Sequence, residues 1–364
     1  MERKHFLQID MLKGFAAIMV AVGHLAFMGD GHRLFYRWIF QCHMPVFFWT
    51  AGFCFSKRTI RGSFAGFVWK KVRTLVVPDL LFRFVWVWLC AAKAGNIEGY
   101  WESLPEYMYH YSTEWLVPSL LISYVLLFLF SRLHRRVGIS AIALGGLLIV
   151  FTPFLCREYG LIIGHDGLYL PFLPDSTLLG FSFMLIGYLC RRIPSSAFMA
   201  VKNGICRQAG ARACAWLSLV LCLMGWYTYT QREDYGVVNI AMGTVGDSEL
   251  LYFFFALFWI GALFVAFTLL LRTSKLLRMQ ELLKYAGRGR HSLAIYLLHI
   301  LLNGVWEILF WQMTGREWLY WEYPVSVRLV YAVGVITLSL GAIFLYERLK
   351  SRRKETDLAE NIEG

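Results

Sequence analysis

The stretch "IDMLKGFAAIMVAVGH", residues 9–24, decides how this chain is built. It is apolar enough to cross a bilayer, yet it contains Asp10, Lys13 and His24, and hydrocarbon penalises each of these ionisable groups strongly. Ionisable residues within a span usually face the protein interior and mark sites of function. The stretch therefore predicts a membrane-spanning helix that carries part of a functional site.

The composition of the whole chain is that of a membrane protein. Of its 364 residues, 58% are hydrophobic and only 16% are charged, which leaves too little polar surface for a soluble protein of this length. The apolar residues occur in long runs, which predicts an all-α polytopic integral membrane protein. About ten membrane spans are predicted, at residues 7–28, 36–55, 72–92, 115–131, 138–155, 176–190, 213–230, 250–271, 292–312 and 325–346.

The basic residues predict the orientation of these spans, because Lys and Arg prefer cytoplasmic loops. With the N-terminus inside, 27 of the 36 Lys and Arg residues fall in cytoplasmic segments and about 7 in outer loops. Both termini are therefore expected in the cytoplasm. The net charge of +12 then reflects membrane topology, and no nucleic-acid partner is expected. Residues 1–350 are predicted to form one domain, and residues 351–364 a cytoplasmic tail with a frayed end.

One face of the first predicted span carries a basic residue and a histidine. Lys13 and His24 are eleven residues apart, which is three helical turns plus about 20°. Asp10 lies about 40° from His24 around the helix, on the side away from Lys13. Small residues such as Gly14 lie between them and allow either a neighbouring helix or a slender ligand to approach. This face suits a long anionic ligand. Alternatively, Asp10 and Lys13 form an ion pair at the helix end with Lys13 snorkelling, and His24 packs through a hydrogen bond.

The second span adds another histidine. Its sequence "HMPVFFWTAGF" places His43 at the same expected depth as His24, and Pro45 is expected to kink the helix nearby. Two imidazoles at one level suit a proton-transfer site. A metal site is the weaker alternative because no nearby Cys or carboxylate completes a ligand set, and no metal is predicted.

Four motifs resemble those of the membrane acyltransferase-3 family, in the branch resembling fucose 4-O-acetylases. They are the Lys13-to-His24 spacing and the segments "HMPVFFWTAGF" (43–53), "KKVRTLVVP" (70–78) and "SLAIYLLH" (292–299). Ten helices is also the usual number in that family. The broader family commonly has Arg where this chain has Lys13, and Lys cannot bind a phosphate in the bidentate manner of Arg.

The resemblance implies transfer of an acyl group, usually acetyl, from cytosolic acetyl-CoA to a hydroxyl of a glycan or lipid-linked sugar acceptor. The expected location is the bilayer of a bacterial inner membrane. Lys13, Lys70 and Arg73 would hold the CoA phosphates, with Asp10 fixing Lys13, although each basic residue of the "KKVR" run is also a topology determinant.

The expected reaction suggests roles for the two histidines. His24 would act as general base on the acceptor hydroxyl or as a transient acyl carrier, and both routes stay open. His43 would orient His24 or stabilise the developing oxyanion.

Several other residues are candidates for contact with the acceptor. Glu114 and Trp115 open the fourth span, where Glu114 orients a histidine, binds acceptor hydroxyls or is an interfacial charge. Tyr296 and His299 share one face of the ninth span, where they line a cavity or satisfy interhelical hydrogen bonds. The outer loops, such as "TGREWLYWEYP" (314–324), are rich in Trp and Tyr, which suits an interfacial belt or a platform for sugar rings.

Two rival functions fit the same pattern. Buried His and Asp residues also occur along the proton paths of transporters and flippases. The absence of an inverted-repeat signature and the basic cluster beside the first span disfavour that reading. A non-catalytic membrane scaffold for glycan assembly is the third interpretation, and it would tolerate loss of His24.

Overall fold

A computed structural model describes residues 6–27, 33–93, 115–137, 174–192, 249–272, 276–318 and 322–363, with single positions between 95 and 104 and at 145. The regular structure of these residues is helical, with no strand among them. The helices are α1 Leu7–Phe27, α2 Arg33–Phe53, α3 Lys57–Arg61, α4 Phe64–Lys93, α5 Leu116–Val137, α6 Pro174–Cys190, α7 Glu249–Leu270, α8 Leu277–Gly287, α9 His291–Thr314 and α10 Val325–Glu363.

The helices agree with an integral membrane protein. Within the described ranges, six helices are long and apolar enough to span a bilayer, namely α1, α4, α5, α7, α9 and α10. The shorter α6 matches the sixth predicted span, and α2, with 21 residues, covers the second as far as Phe53. The predicted spans 138–155 and 213–230 lie outside the described residues apart from Gly145. The helical membrane fold is thus confirmed, while the count of about ten spans and the cytoplasmic termini stay predictions.

Helix α4 begins earlier than the hydropathy pattern indicates. It starts at Phe64, where the Ser63 hydroxyl accepts a hydrogen bond from the Gly66 N–H at 3.1 Å. A serine in this position satisfies one of the N–H groups that the first turn of a helix leaves unpaired. The predicted span 72–92 lies within this helix. The helix itself begins eight residues earlier, because the basic residues that interrupt the apolar run do not interrupt the helix.

Helix α10 extends beyond the predicted span. It runs from Val325 to Glu363 and includes most of the tail that was predicted to be frayed. Neither Gly nor Pro occurs between residues 342 and 363, so no helix-breaking residue stops it.

Helix α8 was not predicted, because it is too polar for a membrane span. Its buried side is made by Gln280, Leu283, Ala286 and Gly287 at helical spacing, and this side packs against α1. An amphipathic helix therefore lies between the spans α7 and α9 and covers the first turns of α1.

Helix α1 is at the centre of the described bundle. It contacts α2, α7, α8, α9 and α10. Within its apolar 18-residue stretch, 61% is buried, whereas the corresponding stretches of α4 and α10 are each 28% buried. Beside it, α2 and α6 approach closely at glycines. A Cβ added to Gly52 would lie 1.8 Å from the Met184 carbonyl oxygen, and one added to Gly187 would lie 2.0 Å from that of Trp49. Small residues at these contacts are how membrane helices achieve close packing.

Candidate active site

His24 lies where α1 changes its winding. The α-helical part ends at Val22, and the next five residues, Gly23–Phe27, form a π-helical turn. Here α1 lies close to α2, since a Cβ on Gly23 would lie 3.0 Å from the Ile39 side chain. π-Helical turns within α-helices occur frequently at functional sites. The local backbone therefore supports the prediction that His24 belongs to a site.

His24 is paired with His299 across two helices. Their ring centroids are 5.6 Å apart, with 44° between the ring planes. His299 is buried, and the ring of Tyr296 lies 6.0 Å from it, centroid to centroid. Sequence reasoning grouped His299 with acceptor contacts, and the structure places it directly beside His24.

The hydrogen bonds of His299 define which ring nitrogen is free. Its Nδ1 lies 3.2 Å from the Ile295 carbonyl oxygen, which only accepts, so Nδ1 is the donor. In a neutral imidazole the other nitrogen then carries a lone pair. That atom, Nε2, is buried and has no hydrogen-bond partner among the described residues. His299 therefore presents an unused basic nitrogen in the protein interior.

His43 is connected to His24 through an aromatic ring. The Phe40 ring lies 5.6 Å from His24 and 5.0 Å from His43, centroid to centroid. The buried His43 donates its Nδ1–H to the Ile39 carbonyl, so in the neutral ring its Nε2 also carries the lone pair. The predicted pair of His24 and His43 is thus part of a cluster of three histidines, and the Phe40 ring contacts both members of the pair.

Lys13 lies at the other end of the same helix pair. Its Nζ donates to the Gly289 carbonyl oxygen at 3.2 Å, in the link before α9. Gly289 has a φ of 55°, a conformation that a side chain disfavours. His24 and His299 follow eleven and ten residues after this contact, so α1 and α9 run parallel over about 16 Å.

The small-residue face of α1 is occupied by a helix. A Cβ on Gly14 would lie 2.0 Å from the Leu283 carbonyl oxygen, and one on Gly287 would lie 1.7 Å from that of Asp10. Of the two uses proposed for this face, the structure shows the neighbouring helix, α8. Asp10 is half-buried beside this contact, one turn from Lys13.

Basic side chains gather at the Lys13 end of the bundle. Lys13, Lys71, Arg191 and Asp10 all lie within electrostatic range of Cys54. The Nζ of Lys71 lies 3.1 Å from the centre of the Tyr124 ring. We refer to Lys13, Lys71 and Arg191 as the basic cluster. It is an arrangement suited to phosphate groups. Ring contacts position Lys71 and Arg191, and the Gly289 carbonyl positions Lys13.

The other predicted phosphate ligands, Lys70 and Arg73, are not members of this cluster. Lys70 is exposed and within electrostatic range of Lys71, whereas Arg73 is exposed in the π-helical segment Val72–Val76 of α4. Arg191, which sequence reasoning counted only as a topology residue, stacks over Phe6 at 4.7 Å. In the sequence, only the position of Arg191 directly after the sixth predicted span could have indicated that it belongs to this cluster.

The predicted acceptor residues are divided between several places. Glu114 lies outside the described residues. Trp115 is buried and stacks on Phe48 at 6.4 Å, within the apolar core. In the described part of the chain, no three His, Cys, Asp or Glu side chains are placed to hold a metal ion. Of the acceptor candidates, Tyr296 and His299 are the ones at the histidine cluster.

Comparison with known proteins identifies the class of domain. A family model described as an acyltransferase domain matches residues 6–347, which includes all the residues placed above. No curated protein and no solved structure matches the chain.

Proposed function

The chain belongs to the acyltransferase-3 family of membrane acyltransferases, and we propose that it moves an acetyl group from cytosolic acetyl-CoA to a hydroxyl of a glycan or lipid-linked sugar. The bilayer around it would be the inner membrane of a bacterium, with both termini in the cytoplasm. One observation carries the proposal: the parallel helices α1 and α9 hold a basic residue at one end and two histidines about 16 Å further along.

The donor would bind at the basic cluster. Lys13, Lys71 and Arg191 attract the phosphates of CoA, while the exposed Lys70 and Arg73 add charge at the entrance. The Lys13 ammonium already donates to Gly289 and has two further donors for a phosphate oxygen. Asp10 positions Lys13, and the pantetheine arm extends along α1 and α9 towards His24.

The histidine cluster would move the proton. His24 takes the proton of the acceptor hydroxyl, whose oxygen attacks the thioester carbonyl carbon. The C–S bond of the tetrahedral intermediate then breaks, and the imidazolium returns its proton to the CoA sulfur. The Nε2 of His299 makes no hydrogen bond to the described residues, and its ring lies 5.6 Å from that of His24. In the reacting complex it would accept an N–H from His24 and so select the tautomer whose other nitrogen is the base. His43 completes the cluster, where it orients the reacting group or stabilises the oxyanion.

A covalent route uses the same residues. A lone pair of the neutral His24 ring attacks the thioester carbonyl, the C–S bond breaks, and the remaining ring N–H proton goes to the CoA sulfur, so that CoA leaves as the thiol. The acetyl-imidazole then passes its acetyl group to the acceptor hydroxyl, whose proton returns to the imidazole. This route suits a donor and an acceptor on opposite sides of the membrane, because the two substrates need not be bound together. Protein-bound label after rapid quenching separates it from direct attack.

Calorimetry with CoA tests the donor assignment. Wild-type protein in nanodiscs is expected to bind CoA, and a double variant, Lys71→Ala with Arg191→Ala, is expected to bind it more weakly. The matched control is Arg278→Ala, which removes an exposed arginine on α8. Absence of CoA binding by the wild type would refute the donor assignment, and a proton-coupled transporter would become the function to test.

A further inference from the structure

The polar side chains of α9 continue beyond His299. Asn303 and Glu307 follow it at i+4 and i+8, which places them on the same face, one and two turns further from the Lys13 end. Asn303 Nδ2 donates to Glu307 Oε1 at 2.8 Å, and the Tyr331 hydroxyl donates to Asn303 Oδ1 at 2.8 Å. Lys93 of α4 pairs with Glu307 Oε2 at 2.9 Å. Side chains of three helices thus form one polar network next to the histidine cluster.

Aromatic rings pack against this network. The Trp306 ring lies 5.7 Å from Tyr331 and 5.6 Å from Trp318, centroid to centroid. Trp318 in turn lies 5.3 Å from Tyr331 and stacks on Tyr323 at 4.4 Å. Two of these residues come from the aromatic loop 314–324, for which the sequence left open an interfacial belt or a sugar platform.

Two polar atoms of this region have no partner. The indole N–H groups of Trp306 and Trp318 are buried and make no hydrogen bond to any described residue. Trp318 as a whole is only 8% exposed. A buried donor without an acceptor costs free energy, so the region lacks hydrogen-bond acceptors that a bound ligand can supply.

We propose that Asn303, Glu307, Tyr331, Trp306 and Trp318 form the binding site for a sugar ring of the acceptor. A pyranose presents hydroxyls that both donate and accept, together with an apolar C–H face. The carboxylate and amide bind hydroxyls, the indole N–H groups donate to sugar oxygens, and the aromatic faces contact the C–H face.

The position of the site fits the reaction. This inference rests on the proposed function, because it concerns the acceptor of the same transfer. Asn303 is one helical turn, about 6 Å of axial rise, beyond His299. A ring held there brings one of its hydroxyls to the histidine cluster from the side opposite to the basic cluster. Donor and acceptor therefore approach the histidines from opposite ends of α9.

The test uses full-length protein in nanodiscs and four probes: the methyl glycosides of glucose, galactose, mannose and fucose. Binding of each glycoside is measured by calorimetry without acetyl-CoA, and transfer is measured separately, with labelled acetyl-CoA, as label on the glycoside. At least one glycoside is expected to bind the wild type. Glu307→Gln, Asn303→Leu and Trp306→Phe are each expected to weaken that binding about tenfold or more, since each removes a hydrogen bond or donor. The KM for acetyl-CoA is expected to change by less than about twofold in these variants.

Two controls distinguish a loss of glycoside binding from general effects of substitution and from unfolding. Trp311→Phe, at a tryptophan that is 49% exposed on the same helix, is expected to leave glycoside binding at the wild-type level. Thermal unfolding confirms that each variant is folded. The sugar site is overturned if no glycoside binds the wild type, or if the variants bind as the wild type does. The proposed function fails separately, if the wild type releases no CoA from acetyl-CoA, because glycoside binding is measured without the donor.

Discussion

The imidazole rings of His24 and His299 lie 5.6 Å apart, on two parallel helices from opposite ends of the chain. The same helices meet again where Lys13 donates to the Gly289 carbonyl at 3.2 Å. These two contacts place the basic cluster and the histidine cluster at two levels of the same pair of helices, α1 and α9. A helix shift that moves one contact therefore also changes the other.

The contact predicts that His299 is needed for transfer. His299→Ala is expected to lower kcat about 10²-fold or more, because proton transfer by positioned groups contributes about 10²–10⁴-fold. Its KM for acetyl-CoA is expected to stay close to the wild-type value, since His299 lies away from the basic cluster. Steady-state release of CoA measures both constants. If His299→Ala matches His134→Ala, a histidine to which no role is assigned, the pairing has no part in the reaction.

The basic cluster predicts a selective loss of donor affinity. Lys71→Ala and Arg191→Ala are each expected to raise the KM for acetyl-CoA about tenfold, because a hydrogen bond to a charged group contributes roughly 1.5–3 kcal/mol. Lys70→Ala is expected to have a smaller effect, since Lys70 is exposed to screening by salt. The measurement is KM at low and high ionic strength. Equal effects for Lys70 and Lys71 would show that only general surface charge matters.

The packing of α8 on α1 predicts a stability effect at a single methyl group. Gly287→Ala places a Cβ 1.7 Å from the Asp10 carbonyl oxygen, so the helices must separate. The expected cost is about 1–3 kcal/mol or more, seen as a lower Tm. The control is Gly334→Ala in α10, where a Cβ meets nothing within 4 Å. An unchanged Tm for Gly287→Ala would contradict this helix contact.

The link between α8 and α10 predicts a pH dependence. Burial, and then the charge and hydrogen bond of Glu347, raise the pKa of Tyr285 above its usual value. The Tyr285 hydroxyl donates to Glu347 Oε2 at 3.3 Å, so the protonated form stabilises the fold. Its contribution is full below the ordinary tyrosine pKa of about 10 and is lost as the pH rises through the higher folded value.

Thermal unfolding as a function of pH checks this expectation. The Tm difference between the wild type and Tyr285→Phe is expected to be constant below about pH 10 and to shrink above it. A difference that grows with pH would mean that the ionised tyrosine, not the protonated one, is the stabilising form.

The sequence predicted the first span and its unusual residues, because ionisable residues inside an apolar run are recognised without knowledge of the tertiary structure. It also predicted the residues of the histidine cluster, but not their pairing. Which imidazole meets His24 depends on α9 lying parallel to α1, and that is a tertiary contact without a local signal. Hydropathy placed His43 at the level of His24, and it contains no information that the Phe40 ring contacts both of them.

The basic cluster was harder to predict for a different reason. Basic residues at the cytoplasmic ends of spans all obey the same topology rule, so hydropathy cannot separate Lys71 and Arg191 from Lys70 and Arg73. The structure separates them, because Lys71 and Arg191 lie over aromatic rings. Helix α8 was missed because an amphipathic helix is too polar to resemble a membrane span.

Single-turnover transfer from radiolabelled acetyl-CoA, comparing the wild type with His24→Ala, tests the central claim most directly. Both proteins are placed in nanodiscs with His134→Ala as the control, and label on the protein and released CoA are counted over time. Release of CoA by the wild type and by the control is expected, together with a rate about 10²–10⁴-fold lower in His24→Ala. Release by His24→Ala at the wild-type rate would contradict the claim, because transfer would then not proceed through that histidine.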